Sequence, residues 1–311
     1  MVKAKDGFFA VSLDQFRKIS EQHGMPECCL YLIYCCGSDR TNTHTMWSKH
    51  ALTKRTSISV RRAQRAEQNL IDGGYVTKLR DGKHPKFRIE RSELDDAAWL
   101  PMAFIEGAVS ENSPLELIKR TGDHMILRLI IDLYWYQNIA DDAGIRQVYL
   151  PYEQKLIATH GQYNIFEFSK GAITSVELDA PFLGVHRNES CNQPCRDFWE
   201  RFTILVDLGL IYEIPTLFDS DDGEPLVSLK DPFDQTQVTE LSDFVHDMGL
   251  PEFLDHALVC GEYALAIPRT MKSALVRGLY ILRYRQNTQK TKAGLAKSRE
   301  RLQSFMCLYQ G

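Results

Sequence analysis

From Cys28 to Cys36 the chain reads Cys-Cys-Leu-Tyr-Leu-Ile-Tyr-Cys-Cys, a stretch without charge and apolar nearly all round. With Pro26 at a helix start and Gly37 to end it, the pattern predicts a short helix buried on most faces. A chain that carries such a helix must wrap its other elements around it. Four thiols so close together also invite a metal reading. Adjacent positions on a helix point about 100° apart, however, so paired cysteines do not converge on one tetrahedral ion. Core packing is the role expected of Cys28, Cys29, Cys35 and Cys36.

Downstream, Trp47 to Leu52 reads as a short amphipathic helix, Thr53 to Thr56 as a turn and Ser57 as the N-cap of a helix over Ile58–Asp72. Val60, Ala63, Ala66 or Glu67, Leu70 and Ile71 fall on its inward side at helical spacing. Ser59, Arg61, Arg62, Gln64, Arg65 and Gln68 fall on the outward side. Gly73-Gly74 stops the helix, Tyr75 to Leu79 is strand-like, Asp81-Gly82-Lys83 makes a tight turn, and Lys86 to Glu90 alternates as a second strand.

Charge divides the chain in the same places. Residues 1–91 hold 17 Lys and Arg against 9 Asp and Glu, residues 92–268 hold 10 against 31, and residues 269–311 hold 10 against 1. The formal net charge of −4 therefore hides two basic ends around an acidic middle. That asymmetry points to an acidic polymer as partner of the ends and argues against polyanion binding by the whole chain.

The segment from Trp47 to Glu90 resembles the winged helix-turn-helix superfamily of DNA-binding proteins. With the Pro26–Gly37 helix as its first helix, the resemblance covers residues 26–91. It rests on a small helix ending in Ala51-Leu52, a basic helix closing on Leu70 and Gly74-Tyr75-Val76, and a two-stranded wing. The resemblance implies that the basic helix lies in the major groove. There Arg61, Arg62 and Arg65 fork onto guanine, Gln64 and Gln68 pair with adenine, and Thr56, Ser57 and Ser59 reach phosphates. Lys78, Arg80, Lys83, Lys86 and Arg88 would load the wing for phosphate or minor-groove contacts.

Residues 123–229 look like a second, altered copy with a long insertion. Leu205 to Ile211 parallels Leu70 to Val76 as a closure, but the helix before it mixes Arg196 and Arg201 with Asp197 and Glu200. Dimerisation or partner binding is expected of it rather than DNA reading. Residues 139–194 read as irregular. Within them His186, Cys191 and Cys195 form a weak candidate metal cluster, and unliganded thiols are the expected state because their spacing departs from common zinc patterns. From Thr239 the chain reads helical to its end, with Met271, Leu275, Leu279 and Leu282 as an apolar stripe and a basic tail beyond.

No nucleotide-binding loop, zinc-protease motif or nucleophile elbow occurs in the sequence, and no run of about 18 apolar residues. The expectation is a mainly α fold with small β wings: a winged-helix DNA-binding domain over 1–91, a modified winged-helix-like domain over 92–238 and a helical basic segment over 239–311. The function expected is sequence-specific binding of double-stranded DNA by a transcriptional regulator of a bacterial, phage or plasmid element, cytoplasmic and nucleoid-associated. A replication initiator, which the tandem layout resembles, and a non-catalytic protein-interaction module are the alternatives. No enzymatic activity, cofactor, metal or membrane is expected; a homodimer through residues 92–238 or the C-terminal helices is.

Overall fold

The chain enters through β1 (Phe8–Ser12) and turns directly into α1 (Leu13–Gln22), which buries Leu13, Phe16 and Ile19. Next comes α2 (Met25–Cys36), in which every residue from Glu27 to Cys36 is buried. Pro26 occupies its first turn, where a missing N–H costs nothing. The four cysteines of α2 lie in the core as free thiols, and burial pushes the Cys28 thiol up to about 12. These observations come from a computed structural model that describes residues 7–82, 84–90, 97–107, 112–139, 144–161, 163–170, 177–178, 182–183, 185, 193–220, 225–228 and 263–284, with residues 296 and 300.

Against α2 pack α3 (Lys49–Thr56) and α4 (Val60–Asp72), and with them in the chain come β2 (His44–Thr45), β3 (Val76–Arg80) and β4 (Lys86–Ile89). The three strands form an antiparallel sheet in the order β2-β4-β3. Phe87 and Ile89 of β4 point into the core, and the ring of Phe87 stacks on Tyr34 of α2 with centroids 5.0 Å apart. β5 (Ala97–Pro101) returns antiparallel to β1, and α5 (Ala103–Glu106) and α6 (Pro114–Thr121) complete the shell over α2.

α7 (Met125–Tyr136) is the second strongly apolar helix, buried from Ile126 to Tyr134 apart from Arg128. Beyond it come the long hairpin of β6 (Gly144–His160) and β7 (Tyr163–Lys170), then β8 (Glu177–Leu178), α8 (Gln193–Asp207), β9 (Ile211–Phe218), β10 (Pro225–Ser228), β11 (Tyr263–Pro268) and β12 (Leu275–Leu282). These strands make one seven-stranded antiparallel sheet in the order β10-β9-β12-β6-β7-β11, with β8 beside β6. A single hydrophobic cluster runs from Phe9 to Leu282 and joins this half to the first. Arg17 of α1 bonds Asp132 of α7 at 2.8 Å, where the carboxylate is 3% exposed. Burial raises the Asp132 carboxyl above its ordinary value, and the guanidinium offsets part of that rise.

The mainly α fold with tandem winged helices and a helical C-terminal segment is therefore corrected: the chain is α+β, with a large antiparallel sheet. Two segments account for the difference. The stretch expected to be irregular contains the β6–β7 hairpin, and the apolar stripe read as a helix is β12. Leu275, Leu279 and Leu282 fit helical spacing, but β12 is buried on both faces, so its apolar run does not alternate. A short continuous apolar run cannot be assigned by periodicity alone. Val276, Tyr280 and Ile281 carry the strand preference there.

Candidate nucleic-acid interface

The surface on which the basic residues meet is built by the α3–α4 turn. Thr56 is the last residue of α3, fully buried, with its hydroxyl donating to the Leu52 carbonyl at 2.8 Å. It is thus committed to the helix and does not reach outward. Ser57 takes a left-handed conformation at φ 53°, turning the chain between the helices. Ile58 drops into the core, and Ser59 rather than Ser57 caps α4, accepting from the Arg62 amide at 3.4 Å. A buried apolar residue just before the cap fixes the angle at which a helix starts, and here it displaces the expected start by two residues. Val60 then faces outward, 50% exposed, where an inward position was expected.

Ala63, Ala66, Glu67 and Leu70 form the buried side of α4. Arg61, Arg62, Gln64, Arg65 and Gln68 are all exposed on the other side. None of the three arginines has a carboxylate partner among the described residues, whereas three other cations nearby are paired: Lys49 with Glu67, Lys78 with Asp81, Arg88 with Glu90. Gln68 donates to Asp72 at 2.7 Å within the helix.

Four hydrogen bonds that sequence reasoning missed hold α4 and its closure in place. Glu67, 6% exposed, accepts from the Tyr34 hydroxyl at 2.9 Å and from the Lys49 ammonium at 3.2 Å. Burial and the adjacent carboxylate push the Tyr34 hydroxyl far above its ordinary value, so it stays a donor. Asn69 donates to Glu27 at 2.8 Å, and the Tyr75 hydroxyl to Gln22 at 2.8 Å. The one signal available beforehand was a carboxylate in the inward row of the helix.

On the wing, Lys78 is half-buried and bound to Asp81 at 2.8 Å. Arg80 is exposed and donates to the His84 carbonyl at 2.7 Å. Lys86 is half-buried, and the exposed Arg88 pairs with Glu90 at 2.8 Å. Lys83 lies outside the described residues, as do His186 and Cys191. Cys195 sits half-buried on α8 and packs against the core.

The helix of the second region differs in chemistry. Arg201 of α8 bonds Asp123 at 2.7 Å, so its charge is spent inside the protein. Phe198, Phe202 and Leu205 anchor the helix, with Phe202 edge-on to Tyr280 of β12. The expected second wing is only partly realised. β9 and β10 do pair, but β12 occupies the place beside β9 that faces β6. Of the C-terminal cations, Arg277 lies over the Tyr149 ring at 4.3 Å within the sheet. Arg285, Lys290, Lys292, Lys297, Arg299 and Arg301 lie outside the described residues.

No protein-family model matches the chain, and neither a curated protein nor a solved structure does. No helix among the described residues is long and apolar enough to cross a membrane.

Proposed function

We propose that this chain binds double-stranded DNA through α4, with the β3–β4 hairpin as a wing against the backbone, and acts as a sequence-specific regulator of transcription. The observation that carries the reading is the side of α4 that bears Arg61, Arg62 and Arg65, exposed and unpaired with any carboxylate among the described residues. A charge-assisted fork needs a partner, and the major groove supplies one in guanine O6 and N7. α4 spans 13 residues, long enough to lie in a groove about 12 Å wide.

The order α2, β2, α3, α4, β3, β4, with β4 between its two neighbours, supports assigning residues 26–91 to the winged-helix arrangement. So does the rigid seating of α4 by Glu67, Asn69 and Tyr75, because base readout requires a helix held in one orientation. A homodimer would place two such helices one helical turn of DNA apart.

The test is titration of the full chain with a randomised duplex pool at about 50 and 200 mM salt, with sequencing of the bound fraction. Binding should weaken by orders of magnitude across that range. An inverted repeat among the selected sites supports the regulator, and iterated direct repeats would favour a replication initiator. No binding at the lower salt sinks both and leaves a protein-interaction role.

A further inference from the structure

Three large apolar side chains before residue 91 are exposed among the described residues: Met46, Val60 and Leu79. Val60 is the one that lies on α4, as its first residue. Helical spacing puts it in line with Ala63, Glu67 and Leu70, all buried. The turn before the helix overrides that spacing. With Ser57 at φ 53° and Ser59 as the cap, Ile58 rather than Val60 enters the core at this end, and Val60 is left outside. At 100° per residue, Val60 and Gln64 stand about 40° apart round the helix axis. Gln68, Arg61 and Arg65 continue the same exposed arc.

A branched Cβ leaves valine one strongly preferred rotamer in a helix, so its two methyl groups are held in place before any partner arrives. Whatever covers Val60 must be apolar at that point and negative around it, because Arg61 and Arg65 on the same arc have no carboxylate partner among the described residues. The major groove joins both properties. Phosphates line its walls, and thymine alone of the four bases presents a methyl group on its floor. We infer that Val60 reads one thymine of the target site, packing its methyls against the C5 methyl of that base. The inference rests on α4 as the groove-reading helix, whose N-terminal residues come closest to the base edges. It adds a discrimination that the arginines do not make: they fork onto guanine, whereas an apolar contact separates thymine from cytosine and from uracil.

The probe is the tightest-binding duplex selected from the randomised pool, remade with each thymine in turn replaced by deoxyuridine. That exchange removes the methyl and keeps every hydrogen-bonding group of the base. Anisotropy titrations compare the full chain as wild type and as Val60→Ala. Val60 is 50% exposed and alanine is the better helix former, so the variant keeps its fold. At one thymine the wild type should weaken about fourfold on loss of the methyl, the worth of one buried group of that size. Val60→Ala should bind the parent duplex more weakly and no longer distinguish thymine from uracil at that position. Selected sites without a constant thymine, or a wild type indifferent to uracil at every position, overturn the inference. So does a Val60→Ala chain that still loses about fourfold with uracil there, because the methyl is then read by another residue. In each of these cases the duplex is bound, and the DNA reading stands. A wild type that binds no duplex at about 50 mM salt overturns both.

Discussion

α4 and α8 end in the same way and serve different ends. At α4 the Gly73 amide bonds the Asn69 carbonyl at 2.9 Å and the Tyr75 amide bonds Leu70 at 2.9 Å. At α8 the Leu208 amide bonds Ile204 at 2.9 Å and the Leu210 amide bonds Leu205 at 3.0 Å. Each closure passes through a glycine of positive φ, 71° at Gly74 and 65° at Gly209, and each leads into a strand. The two strands then take different partners. β3 finds β4 a few residues on, whereas β9 pairs on its inner side with β12, supplied from far along the chain. In both sheets a strand sits between two others, β4 between β2 and β3, β12 between β6 and β9. Local chemistry therefore fixes how a helix hands over to a strand, and burial of distant apolar runs decides which strand lies beside it. The two helices diverge in charge as well: α4 keeps its arginines unspent, and α8 ties Arg201 to Asp123.

The likeness of the two helices breaks most visibly in stability. Glu67→Ala leaves Tyr34 and Lys49 without their shared acceptor, and a buried hydroxyl without a partner is expensive. Because the Lys49 side chain is 26% exposed, it recovers water on one side, and the expected loss is about 3 kcal/mol rather than the upper end for a buried pair. Arg201→Ala, which opens the half-exposed pair with Asp123, should cost about 1 kcal/mol. Urea unfolding of both variants measures the difference. Equal losses would mean that the two helices are held with equal force and that Glu67 is no special pin.

Next in size is DNA affinity. Arg65→Ala should lose about 1–3 kcal/mol and relax base preference at one position of the selected site. Lys86→Ala, on the wing, should weaken every sequence alike and lower the salt slope by about one. Arg196→Ala, on the exposed side of α8, should leave binding unchanged. Anisotropy titrations against matched and mismatched duplexes separate the three. A loss from Arg196→Ala as large as that from Arg65→Ala would restore a DNA-reading role to the second region.

The closures themselves should respond alike. Gly74→Ala and Gly209→Ala each force a side chain into the left-handed region, at about 1 kcal/mol. At Gly74 an added Cβ meets nothing within 4 Å, and at Gly209 the nearest atom is an arginine nitrogen at 3.6 Å, an ordinary contact. Backbone strain is thus the whole cost in both. Thermal midpoints that fall by different amounts would show that the two closures are alike in hydrogen bonds but not in energy.

How far the sequence spoke depended on the distance over which each feature is decided. α2, α4 and the β3–β4 hairpin are written in windows of about 15 residues, so their apolar spacing and turn glycines could be read directly. The outward row of Arg61, Arg62 and Arg65 was legible for the same reason. The start of α4 was not, because Ile58 in the core, rather than the capping chemistry of Ser57, sets it. The β6–β7 hairpin is local and was missed although Gly161, at positive φ, stands at its turn, whereas β11 and β12 were illegible because the contacts that make them strands join segments far apart. The pins of α4 were hidden likewise: Glu67 reaches Tyr34 across 33 positions and Asn69 reaches Glu27 across 42.

The smallest effect expected lies where the wing closes, and it depends on pH. The Thr77 hydroxyl donates to Glu90 at 2.6 Å, and Arg88 pairs with the same oxygen. The hydrogen bond from Thr77, then that from Arg88, hold the Glu90 carboxyl below its ordinary value of 4.5. A depressed carboxylate pKa in the folded state stabilises it above the unfolded value, and that contribution disappears as pH falls through the lowered folded value. Glu90 is about one-third exposed, so solvent screening reduces the gain to about 0.3 kcal/mol. Wild type should therefore exceed Glu90→Gln in stability at pH 7, and the gap should close as pH falls from 4.5 through the lowered folded value. Denaturant midpoints across that range measure it. A gap that stays constant with pH would assign the closing of the wing to the Phe87 and Ile89 core contacts alone, as β9 is held by its burial against β12.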